Sequence, residues 1–105
     1  MDYTFFYSRV STVGQNTTRQ IENFKSVQEF NSDNLFVDRI QGNVPFLERP
    51  EASKLFDEMT SFSKSSKVKL VVDSIDRLGR SLIDILTTVK LFTQNGINLQ
   101  SLKEG

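Results

Sequence analysis

Short strand-forming runs alternate with amphipathic helical patterns along this 105-residue chain, and no other feature limits its fold as strongly. Residues 3–8 are aromatic-rich and bounded by Ser and Thr, which fits a first strand. Thr17 and Gln20 form a capping-box pattern, and Ile21, Phe24, Val27 and Phe30 then recur at close to helical spacing. Turn chemistry at residues 31–34 leads into a short second strand at 35–38. Pro50, preorganised for a first helical position, restarts a helix that carries Leu55, Phe56, Met59 and Phe62 on one face. Residues 68–73 are nearly continuous in branched side chains, as expected of a strand buried on both faces near the centre of a sheet. Ser81 and Asp84 cap a third helix whose apolar face is expected at Leu82, Ile85, Leu86 and Val89. Asn95-Gly96 fits a left-handed stop, and residues 97–102 alternate as a fourth strand.

This order implies a single α/β domain, a mostly parallel four- or five-stranded sheet flanked by helices. Ligands of such sheets bind beyond the carboxyl ends of the strands. Residues 39–49 have no period and include Gly42, Asn43 and Pro45, so a mobile, functional loop is expected there.

Composition narrows the chemistry. The chain has no His and no Cys, which removes the Ser-His-Asp triad, thiol nucleophiles, disulfides and the usual zinc ligands. Hydroxyls, carboxylates, Lys, Arg and Tyr remain, and neither a cofactor nor a metal is expected. Thirteen basic and thirteen acidic residues leave a formal net charge of zero, so any contact with a polyanion must come from a local cluster. The first residues lack a basic leader, and no apolar run approaches the roughly 18 residues of a membrane span. A cytoplasmic protein without a membrane partner is expected.

Three polar clusters fall at the expected strand ends: Arg9 with Ser11 and Thr12, then Asp38, then Asp76-Arg77-Leu78-Gly79-Arg80. A hydroxyl among guanidiniums suits a phosphate ester, because Arg presents a planar fork to phosphate oxygens and keeps its charge. Preorganised Arg residues also stabilise the charge that builds up in phosphoryl transfer. Ser11 is then the attacking group, and a phosphoseryl intermediate conserves the ester so that a free hydroxyl can re-attack. Each cluster also has a plainer reading. Ser11 and Thr12 fit as cap and turn residues, Gly79 as a left-handed loop glycine, and Arg49 as a solvated side chain. Asp38 fits an ordinary strand-end carboxylate, or the acceptor of a receiver-like regulatory module.

Taken in order, Tyr7-Ser8-Arg9-Val10-Ser11-Thr12, Gln15, Gln20, Asp38, Glu48-Arg49-Pro50 and Ile75-Asp76-Arg77-Leu78-Gly79-Arg80 resemble the catalytic domain of serine recombinases, the resolvase and DNA invertase family. The resemblance implies a site-specific DNA recombinase that cleaves and rejoins double-stranded DNA through a covalent 5′-phosphoserine, in inversion, resolution or integration. It makes Ser11 the nucleophile and assigns Arg9, Arg49, Arg77 and Arg80 to the scissile phosphate. Gln20 matches a position that organises the site, and Asp76 one that orients the arginines or assists proton transfer. The base for Ser11 stays open between Asp76, water and the substrate itself. Gln41 stands where the family commonly has a Ser. The family continues with a long dimerisation helix and a helix-turn-helix domain, so residues 1–105 are expected to be a catalytic domain cut before both, with a dimer or tetramer formed by the intact protein. The alternatives are a receiver-like module using Asp38 and a phosphoesterase using the same Ser and Arg residues.

Overall fold

The computed structural model describes residues 2–10 and 18–103. Four strands, β1 (Asp2–Val10), β2 (Leu35–Arg39), β3 (Lys67–Val72) and β4 (Ile97–Ser101), form one sheet in the order β2-β1-β3-β4. Every pairing is parallel. Three helices connect them: α1 (Thr18–Lys25), α2 (Pro50–Ser63) and α3 (Leu82–Gln94).

Alternation along the central strands divides the core. Phe5, Tyr7, Val68, Leu70 and Val72 join Ala52, Leu55 and Met59 of α2 and Phe92 of α3 in the larger cluster. Phe6 and Val71 point the other way and meet Phe24 of α1 in the smaller one. The aromatics serve this packing, as their spacing implied: Phe6 lies against Phe24 and Phe30, and Phe62 against Tyr3 and Phe5. β3 is an inner strand, buried from Leu70 to Val72, in line with its branched composition.

Local chemistry explains most element ends. Pro50 begins α2, Ser81 caps α3 by accepting from the Asp84 amide, and Gly96 takes a φ of +72° as α3 gives way to β4. Two expectations need correcting. α1 ends at Lys25, although Val27 and Phe30 still pack on its cluster. Beyond it the amides of Ser26, Val27 and Phe30 bond three residues back, and the Ser26 hydroxyl donates to the Asn23 carbonyl, closing tight turns in place of another helical turn. In α3, Leu82 and Leu86 are 69% and 57% exposed, while Thr88 and Phe92 are buried and Val89 packs on the core. The spacing was right but the inward stripe starts a turn later. Thr88 takes an inward place because its hydroxyl returns to the Asp84 carbonyl within the helix.

β1 and β3 are neighbours, and the chain leaves them toward opposite edges of the sheet. Their carboxyl ends therefore flank the crevice where α/β sheets bind ligands. The segment between β2 and α2 lies over this end. Far from structureless, it contains a 3-10 turn at Phe46–Glu48, and Phe46 inserts into the core against Tyr7 and Phe92.

Candidate active site

Arg9 is the penultimate residue of β1, opposite Asp38 of β2. Its Nη1 donates to the Ile40 carbonyl over 3.0 Å, and its Nε is buried without an acceptor among the described residues. Burial lowers the pKa of this guanidinium, and repulsion from Arg49 and Arg77 lowers it further. An anion beside Arg9 would relieve both penalties. Gly42 makes room for the guanidinium, since a Cβ there would stand 3.2 Å from Arg9 Nη2.

Arg9 opens onto a cavity of about 420 Å³ with Gln41, Gly42, Asn43, Asp76, Gly79 and Arg80 in its walls. Arg80 is exposed and has no hydrogen-bond or ion-pair partner among the described residues, so its charge is available to a ligand. Gly79 is required for a different reason from the one its sequence suggested. Its φ is not positive, but a Cβ would fall 2.6 Å from Asp84 Cβ, so only glycine lets the Arg80 loop lie on the first turn of α3. Asp76 accepts from the Ser74 hydroxyl at the mouth of the cavity.

Gln20 reaches from α1 to the end of β1. Its Oε1 accepts from the Ser8 hydroxyl and its Nε2 donates to the Arg9 carbonyl over 3.3 Å. It thereby fixes the strand end that carries Arg9. Ser11, Thr12 and Gln15 lie outside the described residues; in sequence Ser11 stands two positions after Arg9.

The other two arginines are placed differently. Arg49 is fully buried, not solvated. Its Nε donates to the Val44 carbonyl, Nη2 to that of Gly42, and Nη1 to the Arg77 carbonyl and the Tyr7 hydroxyl, while its face lies 5.7 Å from the Phe46 ring. In this arrangement Arg49 organises the backbone around the cavity. Arg77 turns to the other flank of the same turn, where Asp73 receives its guanidinium through two bonds of 3.1 and 3.3 Å. There it borders a second cleft of about 590 Å³, with Arg19, Ser74, Asp76 and Lys103. Arg9, Asp76 and Arg80 thus share one cavity, Arg49 supports it from beneath, and Arg77 stands beside it.

Asp38 is 3% exposed and its oxygens are taken. It accepts from the Glu51 and Ala52 amides, each over 2.9 Å, and from the Tyr7 hydroxyl. This carboxylate caps α2 from a neighbouring strand and complements the helix dipole. That geometry speaks against a receiver-like role, since the carboxylate is buried against α2 and does not line the cavity. The sequence assigns no site role to the side chains of Tyr7, Asp73 and Ser74. Tyr7 alternates with Phe5 like any core aromatic, and only its depth, which holds its phenol pKa well above the ordinary value, marks its link to Asp38 and Arg49. Asp73 lies four residues before Arg77, a spacing that brings side chains together in a helix but not in an arbitrary turn.

A sequence model described as "Resolvase, N terminal domain" matches residues 4–105. The chain is 36% identical over 98 residues to the Transposon Tn21 resolvase of Escherichia coli, a match covering 93% of this chain and 46% of that protein. It is 29% identical to serine recombinase PinQ of Escherichia coli K12, over all of this chain and 52% of the relative. The chain therefore spans about half the length of the curated relatives it matches. Among solved structures, the N-terminal catalytic domain of TP901-1 integrase superposes with a TM-score of 0.77 at 28% identity, covering 99% of this chain and 79% of that one.

Proposed function

The chain belongs to the resolvase N-terminal domain family, and from that membership we propose that it is the catalytic domain of a site-specific recombinase acting on double-stranded DNA. The observation that carries this reading is the Arg9–Arg80 cavity at the end of β1: two guanidiniums, with no carboxylate ion-paired to either among the described residues, beside the strand that leads to Ser11. A phosphodiester in this cavity supplies the negative charge that the two clustered guanidiniums lack.

In the reaction the Ser11 hydroxyl attacks phosphorus. The Oγ–P bond forms as the P–O3′ bond breaks, the Ser11 proton leaves to Asp76, to water or to the departing oxygen, and the 3′ oxygen ends protonated. Arg9 and Arg80 stabilise the charge on the non-bridging oxygens. Arg77 joins them when substrate is bound, Arg49 holds the surrounding carbonyls, and Gln20 fixes the strand end. Because the phosphoserine is itself an ester, a 3′ hydroxyl from a second strand reverses the step without an energy source. Each broken strand needs its own Ser11, so the intact protein works as a dimer or tetramer on cytoplasmic DNA. The exposed Leu82, Ile83 and Leu86 offer an apolar face for contact between subunits.

The reading is tested by incubating the intact recombinase with labelled target duplex, denaturing it, and separating protein-bound from free DNA. A covalent adduct that disappears in Ser11→Ala, with binding retained, supports it. An adduct that persists in Ser11→Ala overturns it, and cleaved DNA released by water without rejoining indicates a phosphoesterase.

A further inference from the structure

The Asp73–Arg77 pair has the form of an arginine bound to its ligand. Arg77 Nε donates to one Asp73 oxygen over 3.1 Å and Nη2 to the other over 3.3 Å, the two-pronged geometry with which guanidinium also grips a phosphate. Both side chains are largely shielded, at 24% and 11% exposure, so the carboxylate neutralises Arg77 with little competition from water.

The backbones on either side are tied down. The Asp73 carbonyl accepts from the Lys103 amide over 2.9 Å, the Arg77 amide donates to the Ser74 carbonyl, and the Arg77 carbonyl accepts from buried Arg49. The side chain of Arg77 is therefore the part free to move. It borders the 590 Å³ cleft and is absent from the described walls of the Arg9 cavity, yet Asp76, the adjacent residue, borders both spaces.

We propose that Asp73 is a positioning residue that occupies Arg77 in place of the substrate phosphate, holding this guanidinium off the Arg9 cavity until a phosphate displaces the carboxylate. The proposal rests on the phosphodiester reading above. Its consequence is a brake: the third guanidinium reaches the reacting phosphate only when that phosphate outcompetes an internal anion, which disfavours cleavage of loosely seated DNA.

Inorganic phosphate titrated into the isotopically labelled chain, with the arginine Nε–H resonances followed by NMR, tests this. In Asp73→Asn, binding sensed at Arg77 tightens by about three- to tenfold, the range expected when one well-aligned ion pair no longer competes. In an Arg77→Ala background the same Asp73→Asn change alters binding at Arg9 by less than about twofold, because only general charge screening remains. Asp73→Ser serves as a second neutral variant should Asp73→Asn lose the dispersed spectrum of a folded chain. Equal tightening with and without Arg77 overturns the proposal, as does unchanged or weaker binding in both neutral variants while Arg9 and Arg80 still respond to phosphate. Resonances of Arg9 and Arg80 that ignore phosphate in every variant overturn the phosphodiester reading itself, and the brake with it.

Discussion

The Asp38 carboxylate and the Arg49 guanidinium meet on one hydroxyl, that of Tyr7, which donates to Asp38 over 2.8 Å and accepts from Arg49 over 3.3 Å. None of the three is more than 3% exposed. The array joins β1, β2, the start of α2 and the turn after β3, so the floor of the cavity is built from interactions whose loss exposes buried charge or unpaired carbonyls.

Arg49→Ala is expected to cost about 3–5 kcal/mol of stability, since it strands the Val44, Gly42 and Arg77 carbonyls and removes the donor to the Tyr7 hydroxyl. Arg49→Lys recovers only part of this, because an ammonium cannot span the same partners. Urea unfolding followed by circular dichroism measures both.

Tyr7→Phe keeps the ring contact with Phe46 but removes the shared hydroxyl, at a cost of about 1–2 kcal/mol near neutral pH. It also changes the response to alkali. Burial raises the Tyr7 pKa above its ordinary 10.0, so above that pH the unfolded chain loses a proton that the folded chain keeps. Stability of the wild type therefore falls as pH rises past about 10, and the slope attributable to Tyr7 vanishes in Tyr7→Phe. Urea midpoints of the two proteins compared between about pH 8 and 11 report the difference.

The two glycines that bound α3 should respond differently to alanine. Gly79→Ala pushes a Cβ to 2.6 Å from Asp84 Cβ and should cost about 1–3 kcal/mol while displacing Arg80 from the cavity. Gly96→Ala meets nothing closer than 3.9 Å but suffers its positive φ, and should cost about 1 kcal/mol with the cavity unaltered. Thermal unfolding and phosphate titration, measured on both variants, separate strain at the site from strain distant from it.

Arg80→Ala should leave stability within about 0.5 kcal/mol of wild type, because the side chain is exposed and has no partner among the described residues. On the proposed function it slows formation of the covalent adduct by about a hundredfold or more, the scale of losing one preorganised charge at a phosphoryl transition state. Single-turnover cleavage by the intact recombinase, set beside the unfolding curve, checks both halves of the expectation.

Much of this protein is legible along the chain because the signals are local. The aromatic alternation of β1, the branched run of β3, the Pro50 start, the Ser81 cap and the Gly96 stop each act within a few residues of themselves, and each appears in the structure as the sequence implies. The inward face of α3 differs from what its spacing predicts because two residues, Thr88 and Leu82, exchange the places their polarity suggests. A threonine that returns its hydroxyl to the helix tolerates burial, and a leucine at the first turn can remain outside.

Local patterns along the chain specify the order of the elements, the parallel α/β class, and the gathering of Arg9, Asp38 and the Asp76–Arg80 loop at the carboxyl ends of the strands. Periodicity and caps are enough for that. What each polar residue faces depends on packing between distant segments. Asp38 turns inward to α2, Arg49 is the buried tie beneath the cavity, and Arg77 pairs with Asp73, while Arg9 and Arg80 line the cavity. The reason is one of range. Arg49 finds Tyr7 and Arg77 at separations of 42 and 28 residues, and a guanidinium reads the same in a sequence whether its partner is a carbonyl, a carboxylate or a substrate.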